Sequence, residues 1–220
     1  KIKKKNKIIN LQHQSKIISN LKFKLTVDKI SSLKNINKDM GSKEKMFRLL
    51  QGDVGSGKTI VSIISALNAI KAGYQVAIMA PTEILATQHY KFILENFNIY
   101  CNAEILTGKT EYKKRKKILN DLLNNKIDIL VGTHSLFQEK INYFNLGLII
   151  IDEQHKFGVR QRKKLSDKGG KDCDVLVMSA TPIPRTMMMT IYGDMDISLI
   201  KSKPRNRRPI KTYSKNESKI

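Results

Sequence analysis

Apolar residues along this chain keep two rhythms that replace one another. Val27, Ile30, Leu33 and Ile36 recur at three-residue spacing, which predicts one face of a helix with Thr26 placed to cap it. A loop over residues 41–45 follows. Short apolar runs then alternate with amphipathic stretches. Residues 46–50 read as a strand. Residues 58–72 read as a helix with Ile60, Ile63, Ile64, Leu67 and Ile70 inward and Gly73 as its stop. Residues 75–80 read as a strand, and Thr82 caps the next helix. Strands are expected over 104–106, 127–131, 146–151 and 175–178, with a strongly basic helix over 110–124. The run at 146–151 is apolar throughout yet too short for a buried helix, so it reads as a central strand.

Strands alternating with helices predict an α/β fold whose mostly parallel sheet has helices on both faces. The 220 residues favour one domain, with extra segments at the ends. Residues 1–24 are basic and weakly patterned and read as the tail of a preceding region, cut from a longer protein; the lysine-rich run at 3–7 is expected to be a solvated end. Residues 25–200 form the domain. Residues 201–220, which include Lys203-Pro-Arg-Asn-Arg-Arg-Pro209, have linker composition and lead into something further.

The formal charge of +22 has two readings. Clustered Lys and Arg attract polyanions such as nucleic acid by releasing counterions; the heavy use of Lys, Asn and Ile throughout also fits a compositional bias of the source. Cys101 and Cys173 stand alone, without CxxC or nearby His, which argues against a metal cage or a disulfide framework and fits a reducing cytoplasm. No stretch approaches the ~18 apolar residues of a membrane span.

Two motifs carry chemistry. Gly52, Asp53, Val54, Gly55, Ser56, Gly57, Lys58 and Thr59 satisfy G-x-x-x-x-G-K-[ST] between an expected strand and an expected helix. Glycines let successive main-chain N–H groups face phosphate oxygens, and the helix N-terminus adds partial positive charge. Lys58 would reach the β and γ phosphates of ATP, and the Thr59 hydroxyl would ligate Mg²⁺. Asp152, Glu153, Gln154 and His155 follow the run at 146–151, at the carboxyl end of a central strand, where parallel sheets bind ligands. Asp152 would hold Mg²⁺ through water, and Glu153 would orient and deprotonate the attacking water.

With Ser179-Ala-Thr181 downstream, these motifs resemble the first motor domain of superfamily 2 helicases, which implies a RecA-like P-loop fold. The match continues at Ala80-Pro-Thr-Glu83 and Val131-Gly-Thr-His134, and four stretches narrow it: Gln51-Gly-Asp-Val-Gly-Ser-Gly-Lys-Thr59, Gly132-Thr-His-Ser-Leu-Phe-Gln138, Ile151-Asp-Glu-Gln-His-Lys-Phe-Gly-Val159 and Ala180-Thr-Pro-Ile-Pro-Arg-Thr186. Over about residues 23–213 the chain is similar to the RecG family of bacterial ATP-dependent DNA helicases. Gln154 and Ser56 separate it from the transcription-repair coupling factor, a related DNA translocase that usually has Glu and a bulky residue there; the primosomal helicase is more distant.

The resemblance implies that Thr82, Gly108, Lys109 and Thr133 track a DNA strand, that Gln154, Ser179 and Thr181 couple that face to hydrolysis, and that His155 joins the catalytic set. It implies branched or forked DNA as substrate in recombination and repair, a monomer in the bacterial cytoplasm at the nucleoid, and a second motor lobe and a wedge domain on the full-length chain. The arginine finger would belong to that second lobe, so these 220 residues are expected to bind nucleotide but hydrolyse it slowly. One departure stands out. The family's Phe-x-Leu-Thr-x-x-Gln adenine-recognition segment is Phe23-Lys-Leu-Thr-Val-Asp-Lys29 here. Phe23 still offers a ring to stack, whereas Lys29 donates hydrogen bonds but cannot accept them, so discrimination between ATP and GTP is expected to loosen. Other readings are a nucleotide-dependent switch without DNA activity, against which the SAT and GTH segments argue, and a non-catalytic DNA-binding remnant, against which Lys58, Asp152 and Glu153 argue. The basic run Tyr112-Lys-Lys-Arg-Lys-Lys117 reads as a solvated helix face, and the methionines at 187–189 as core packing.

Overall fold

A computed structural model describes residues 2–133, 136, 141–152, 170, 172–181 and 195–201. Two helices, α1 (Leu11–Ser19) and α2 (Val27–Met40), precede the first strand, β1 (Phe47–Gly52). Then come α3 (Lys58–Lys71), β2 (Gln75–Met79), α4 (Glu83–Phe97), β3 (Ala103–Leu106), α5 (Tyr112–Leu123), β4 (Ile129–Gly132), β5 (Leu146–Ile151), β6 (Asp174–Ser179) and β7 (Asp196–Ile200). The strands form one parallel sheet in the order β3-β4-β2-β5-β6-β1-β7. This is the α/β architecture that the alternating pattern predicts.

Because successive strand residues point to opposite faces, each strand feeds two cores. Leu50, Ile78, Ile150, Leu176 and Met178 meet α1 to α4 on one face. Leu49, Ala77, Ile149, Val175 and Val177 pack on the other, with Ile118 and Leu122 of α5. A side chain buried this completely contributes about 1.5–3 kcal/mol. The middle strands therefore read as unbroken apolar runs.

Two elements escaped the hydropathy reading. Helix α1 buries only Ile17. Polar bonds seat it: Asn10 caps it by accepting from His13 N at 2.9 Å, and Gln14 Oε1 accepts from Asn37 Nδ2 at 2.8 Å and Asn68 Nδ2 at 2.6 Å. Such a clamp leaves no apolar period. Strand β7 is an edge strand tied inward by buried Arg48 of β1, which donates through Nε to Asp39 Oδ2 at 2.6 Å and through Nη1 to Ser198 Oγ at 2.9 Å.

The inward face of α2 differs from expectation. Leu33 and Ile36 are buried beside Lys29, Ser32, Asn37 and Met40, while Val27 is 81% and Ile30 41% exposed. A strict three-residue spacing slips about 60° per step around a helix of 3.6 residues per turn, so four such residues cannot share one face. Thr26 occupies the N-cap position without a side-chain cap bond.

The lysine run at 3–7 is corrected more sharply, because Lys4 and Lys7 are buried. Lys4 Nζ donates to both oxygens of Asp174, at 2.7 and 2.6 Å, and to Met40 O at 3.0 Å. Lys7 Nζ donates to Asp174 Oδ2 at 2.8 Å and lies 4.7 Å above the Tyr74 ring. Asp174 also accepts from Met46 N at 2.7 Å, and the run is held as a strap by the Lys3–Glu44 bridge. The partner carboxylate is 170 residues away in sequence, which no local pattern reveals. The basic face of α5 is solvated as expected, with Tyr112 exposed and Ile118 and Leu122 inward.

Cys101 and Cys173 are buried free thiols, each pushed up to about 12, chiefly by loss of solvent. No helix among the described residues is long and apolar enough to cross a membrane. The methionines at 187–189 lie outside the described residues.

Candidate active site

Six of the candidate segments leave the carboxyl edge of the sheet. Along that edge the strands end at Leu106, Gly132, Met79, Ile151, Ser179, Gly52 and Ile200. Asp152 follows β5, Ser179 closes β6, and Gly52 ends β1, so the nucleotide candidates share three adjacent strands. Gly108 and Lys109 follow β3, Thr133 follows β4 and Thr82 follows β2. The candidates for DNA thus occupy the other half of the same edge.

The loop between β1 and α3 is built for close approach. Gly55 and Gly57 have φ of +75° and +92°, a region that side chains with a Cβ avoid. A Cβ on Gly57 would stand 2.5 Å from Lys29 Cε, and one on Gly52 would stand 2.7 Å from Ser56 Oγ and 2.8 Å from Ile200 O. Gly57 is the N-cap of α3, and no side chain caps that helix. Its first turn therefore keeps partial positive charge that no side chain answers. Ser56 Oγ is buried without a hydrogen-bond partner among the described residues. Lys58 is buried, and its Nζ donates to Gly52 O at 2.6 Å and Asp53 O at 3.1 Å. A left-handed glycine cradle, an uncapped helix start and a buried ammonium on the loop's own carbonyls fit a polyphosphate.

Asp152 is anchored through main chain and side chain. Its N–H donates to Met79 O at 2.8 Å, and its Oδ2 lies 2.7 Å from His89 Nε2. Among the described residues there is no group of three or more metal-ligating side chains. A site made from the Thr59 hydroxyl and the Asp152 carboxylate fits Mg²⁺ nonetheless, because that ion keeps several waters and takes phosphate oxygens as ligands. Glu153, Gln154 and His155 lie outside the described residues.

Ser179 and Thr181 form a closed hydroxyl turn, with 3.0 Å between their Oγ and Oγ1 atoms and Thr181 N donating to Ser179 Oγ at 3.2 Å. Thr82 is the exposed N-cap of α4 and accepts from Leu85 N at 3.3 Å. Lys109 Nζ lies 3.5 Å from Glu83 Oε2, and a Cβ on Gly108 would stand 3.4 Å from Glu83 Oε1, which draws the turn after β3 to the start of α4. Lys29 is 4% exposed and packs against the loop at Gly57, and burial pulls its pKa down. Phe23 is half-exposed.

His89 was missed in the sequence. The inward stripe of α4 is Ala86, His89, Ile93 and Phe97. One ionisable ring on an otherwise apolar helix face is the signal that could have found it, because such a group needs a buried partner.

Residues 14–190 match the DEAD/DEAH box helicase family. The chain is 49% identical over 201 residues to the ATP-dependent DNA helicase RecG of Borreliella burgdorferi, covering 90% of this chain and 29% of that protein. It is 51% identical over 199 residues to the ATP-dependent DNA helicase RecG of Aquifex aeolicus, covering 90% of this chain and 25% of that protein. Against the structure of RecG bound to a three-way DNA junction the TM-score is 0.83 at 42% identity, over 94% of this chain and 28% of that one. The DEAD-box helicase Mss116 bound to ssRNA and UDP-BeF shares the fold, with a TM-score of 0.68 at 18% identity over 92% of this chain and 47% of that one. The chain spans less than a third of the length of the curated relatives it matches.

Proposed function

Because this chain belongs to the DEAD/DEAH box helicase family, we propose that it is the ATP-binding lobe of a RecG-type DNA motor that remodels stalled forks and Holliday junctions. The observation that carries the reading is the cradle itself: left-handed Gly55 and Gly57, buried Lys58, and Asp152 two strands away on the same edge.

Lys58 would exchange the carbonyls of Gly52 and Asp53 for phosphate oxygens, so nucleotide binding swaps one set of hydrogen bonds for a charge-assisted set. Thr59 and Asp152 would hold Mg²⁺, which when bound neutralises charge on the β and γ oxygens. Glu153 would take the proton of the attacking water. Gln154, His155, Ser179 and Thr181 would relay the state of that site toward Thr82, Gly108, Lys109 and Thr133. Hydroxyls and main-chain amides at those four positions suit phosphate contacts, which position a strand without reading its sequence. The enzyme would act as a monomer in the bacterial cytoplasm, at the nucleoid, with a second motor lobe and a wedge domain on the same full-length chain.

Titration calorimetry with ATP and Mg²⁺ tests the reading. Binding is expected in the wild type, and Lys58→Ala should weaken it about 10- to 100-fold, the worth of a hydrogen bond to a charged group. Absence of binding in the wild type, or an unchanged affinity in the variant, refutes the proposal. A gel shift by forked DNA then separates a DNA motor from a nucleotide switch, which should ignore the fork.

A further inference from the structure

We propose that His89 is a positioning residue for the metal-holding carboxylate: it fixes Asp152 so that one oxygen stays available to the Mg²⁺ shell. The inference rests on the reading of Asp152 given above.

Asp152 stands one residue past β5, where its main chain is pinned to the last residue of β2 by the bond from Asp152 N to Met79 O at 2.8 Å. Its side chain remains free to rotate about two bonds unless something holds it. His89 supplies that hold from α4, the helix that follows β2. The Nε2–Oδ2 distance is 2.7 Å, and the residues are 7% and 8% exposed. An ionised carboxylate only accepts hydrogen bonds, so the ring donates through Nε2. The bond occupies Oδ2, while Oδ1 has no partner among the described residues. One oxygen is thus tied to a packed helix and the other is left for the metal's water shell.

The ring is itself held. Ala86, Ile93 and Phe97 share the inward stripe of α4 with His89 and belong to the hydrophobic core. A long flexible donor such as lysine would reach Asp152 but would not fix its rotamer. A planar ring on a rigid helix does. Partners that orient metal-binding groups in this way usually account for 10- to 100-fold in metal affinity.

The distance and burial also fit a bond that serves packing alone, and the two roles give different results. If His89 only packs, removing it lowers stability and leaves the metal dependence of nucleotide binding where it was. If it positions Asp152, binding of ATP without metal survives and the gain from Mg²⁺ is reached only at higher metal concentration.

The experiment titrates a fluorescent ATP analogue into the chain at rising Mg²⁺. His89→Leu keeps the volume and removes the donor, while His89→Gln places an amide N–H near the position of Nε2. Thermal melts establish that each variant is folded. The expected result is that His89→Leu needs about 10- to 100-fold more Mg²⁺ for half of the metal-dependent gain. Its affinity in EDTA should match the wild type, and His89→Gln should recover most of the loss. Unchanged Mg²⁺ dependence in His89→Leu overturns the proposal, as does an equal loss with and without metal. Should His89→Leu fail to fold, His89→Met, which also removes the donor, takes its place under the same two outcomes, with His89→Gln again as the rescue. A wild type that binds the analogue without any response to Mg²⁺ would sink the magnesium site itself, and with it this role.

Discussion

At Lys58 the ammonium donates to two carbonyls of its own loop, Gly52 O and Asp53 O, so the loop is held by the side chain that a phosphate would recruit. Lys29 approaches the same loop from outside, buried against Gly57 with its pKa lowered by loss of solvent. Nothing but donors is available at that position. Guanine offers O6 and N7 as acceptors to a lysine, whereas adenine sets its own amino donor beside N7. The chain is therefore expected to bind ATP and GTP with similar affinity, and Lys29→Gln to restore a preference for ATP of about tenfold, one good hydrogen bond's worth. Competition of the two nucleotides against a fluorescent analogue measures both ratios. A strong ATP preference in the wild type that Lys29→Gln leaves untouched would remove Lys29 from base recognition.

Among the elements, the strap ahead of α1 shows how strongly a short segment can be tied down. Lys4, Lys7 and the main chain of Met46 all converge on Asp174 at the start of β6, at distances of 2.6 to 2.8 Å. Two buried lysines share this one carboxylate, so removing its charge leaves both without an anion. Asp174→Asn should destabilise the fold by about 3–5 kcal/mol, the cost of leaving buried charges without their partner. Denaturant unfolding of the variant checks this, and a change within about 0.5 kcal/mol, the range of an ordinary surface substitution, would mean that the strap is dispensable. The strap and α1 were illegible in the sequence for one reason. Both are held by polar contacts to residues far along the chain, and polar contacts leave no period. The strands were legible because β2, β5 and β6 are buried at every position, so their middle residues are apolar.

At the scale of these 220 residues taken together and alone, hydrolysis is expected to lag behind binding. By resemblance the arginine finger belongs to the second motor lobe, and such fingers are worth about 10³ to 10⁵ in rate. The 220 residues should bind ATP yet turn it over at least about 10³-fold more slowly than a chain that carries both lobes. Phosphate release with forked DNA present measures this, and brisk DNA-stimulated turnover by these residues alone would contradict it. The glycine-rich turn before α3, the Asp152 strand end and the parallel α/β class were all determined by the sequence itself, because each rests on local rules: glycine where the backbone turns left-handed and apolar runs where strands are buried on both faces. Only the tertiary structure decided that Lys4 and Lys7 are core residues, that Lys29 lies against the loop at Gly57, and that His89 of α4 grips Asp152. Those contacts join residues tens to more than a hundred positions apart, and their partners are chosen by how strands are ordered and helices seated, which no local pattern encodes.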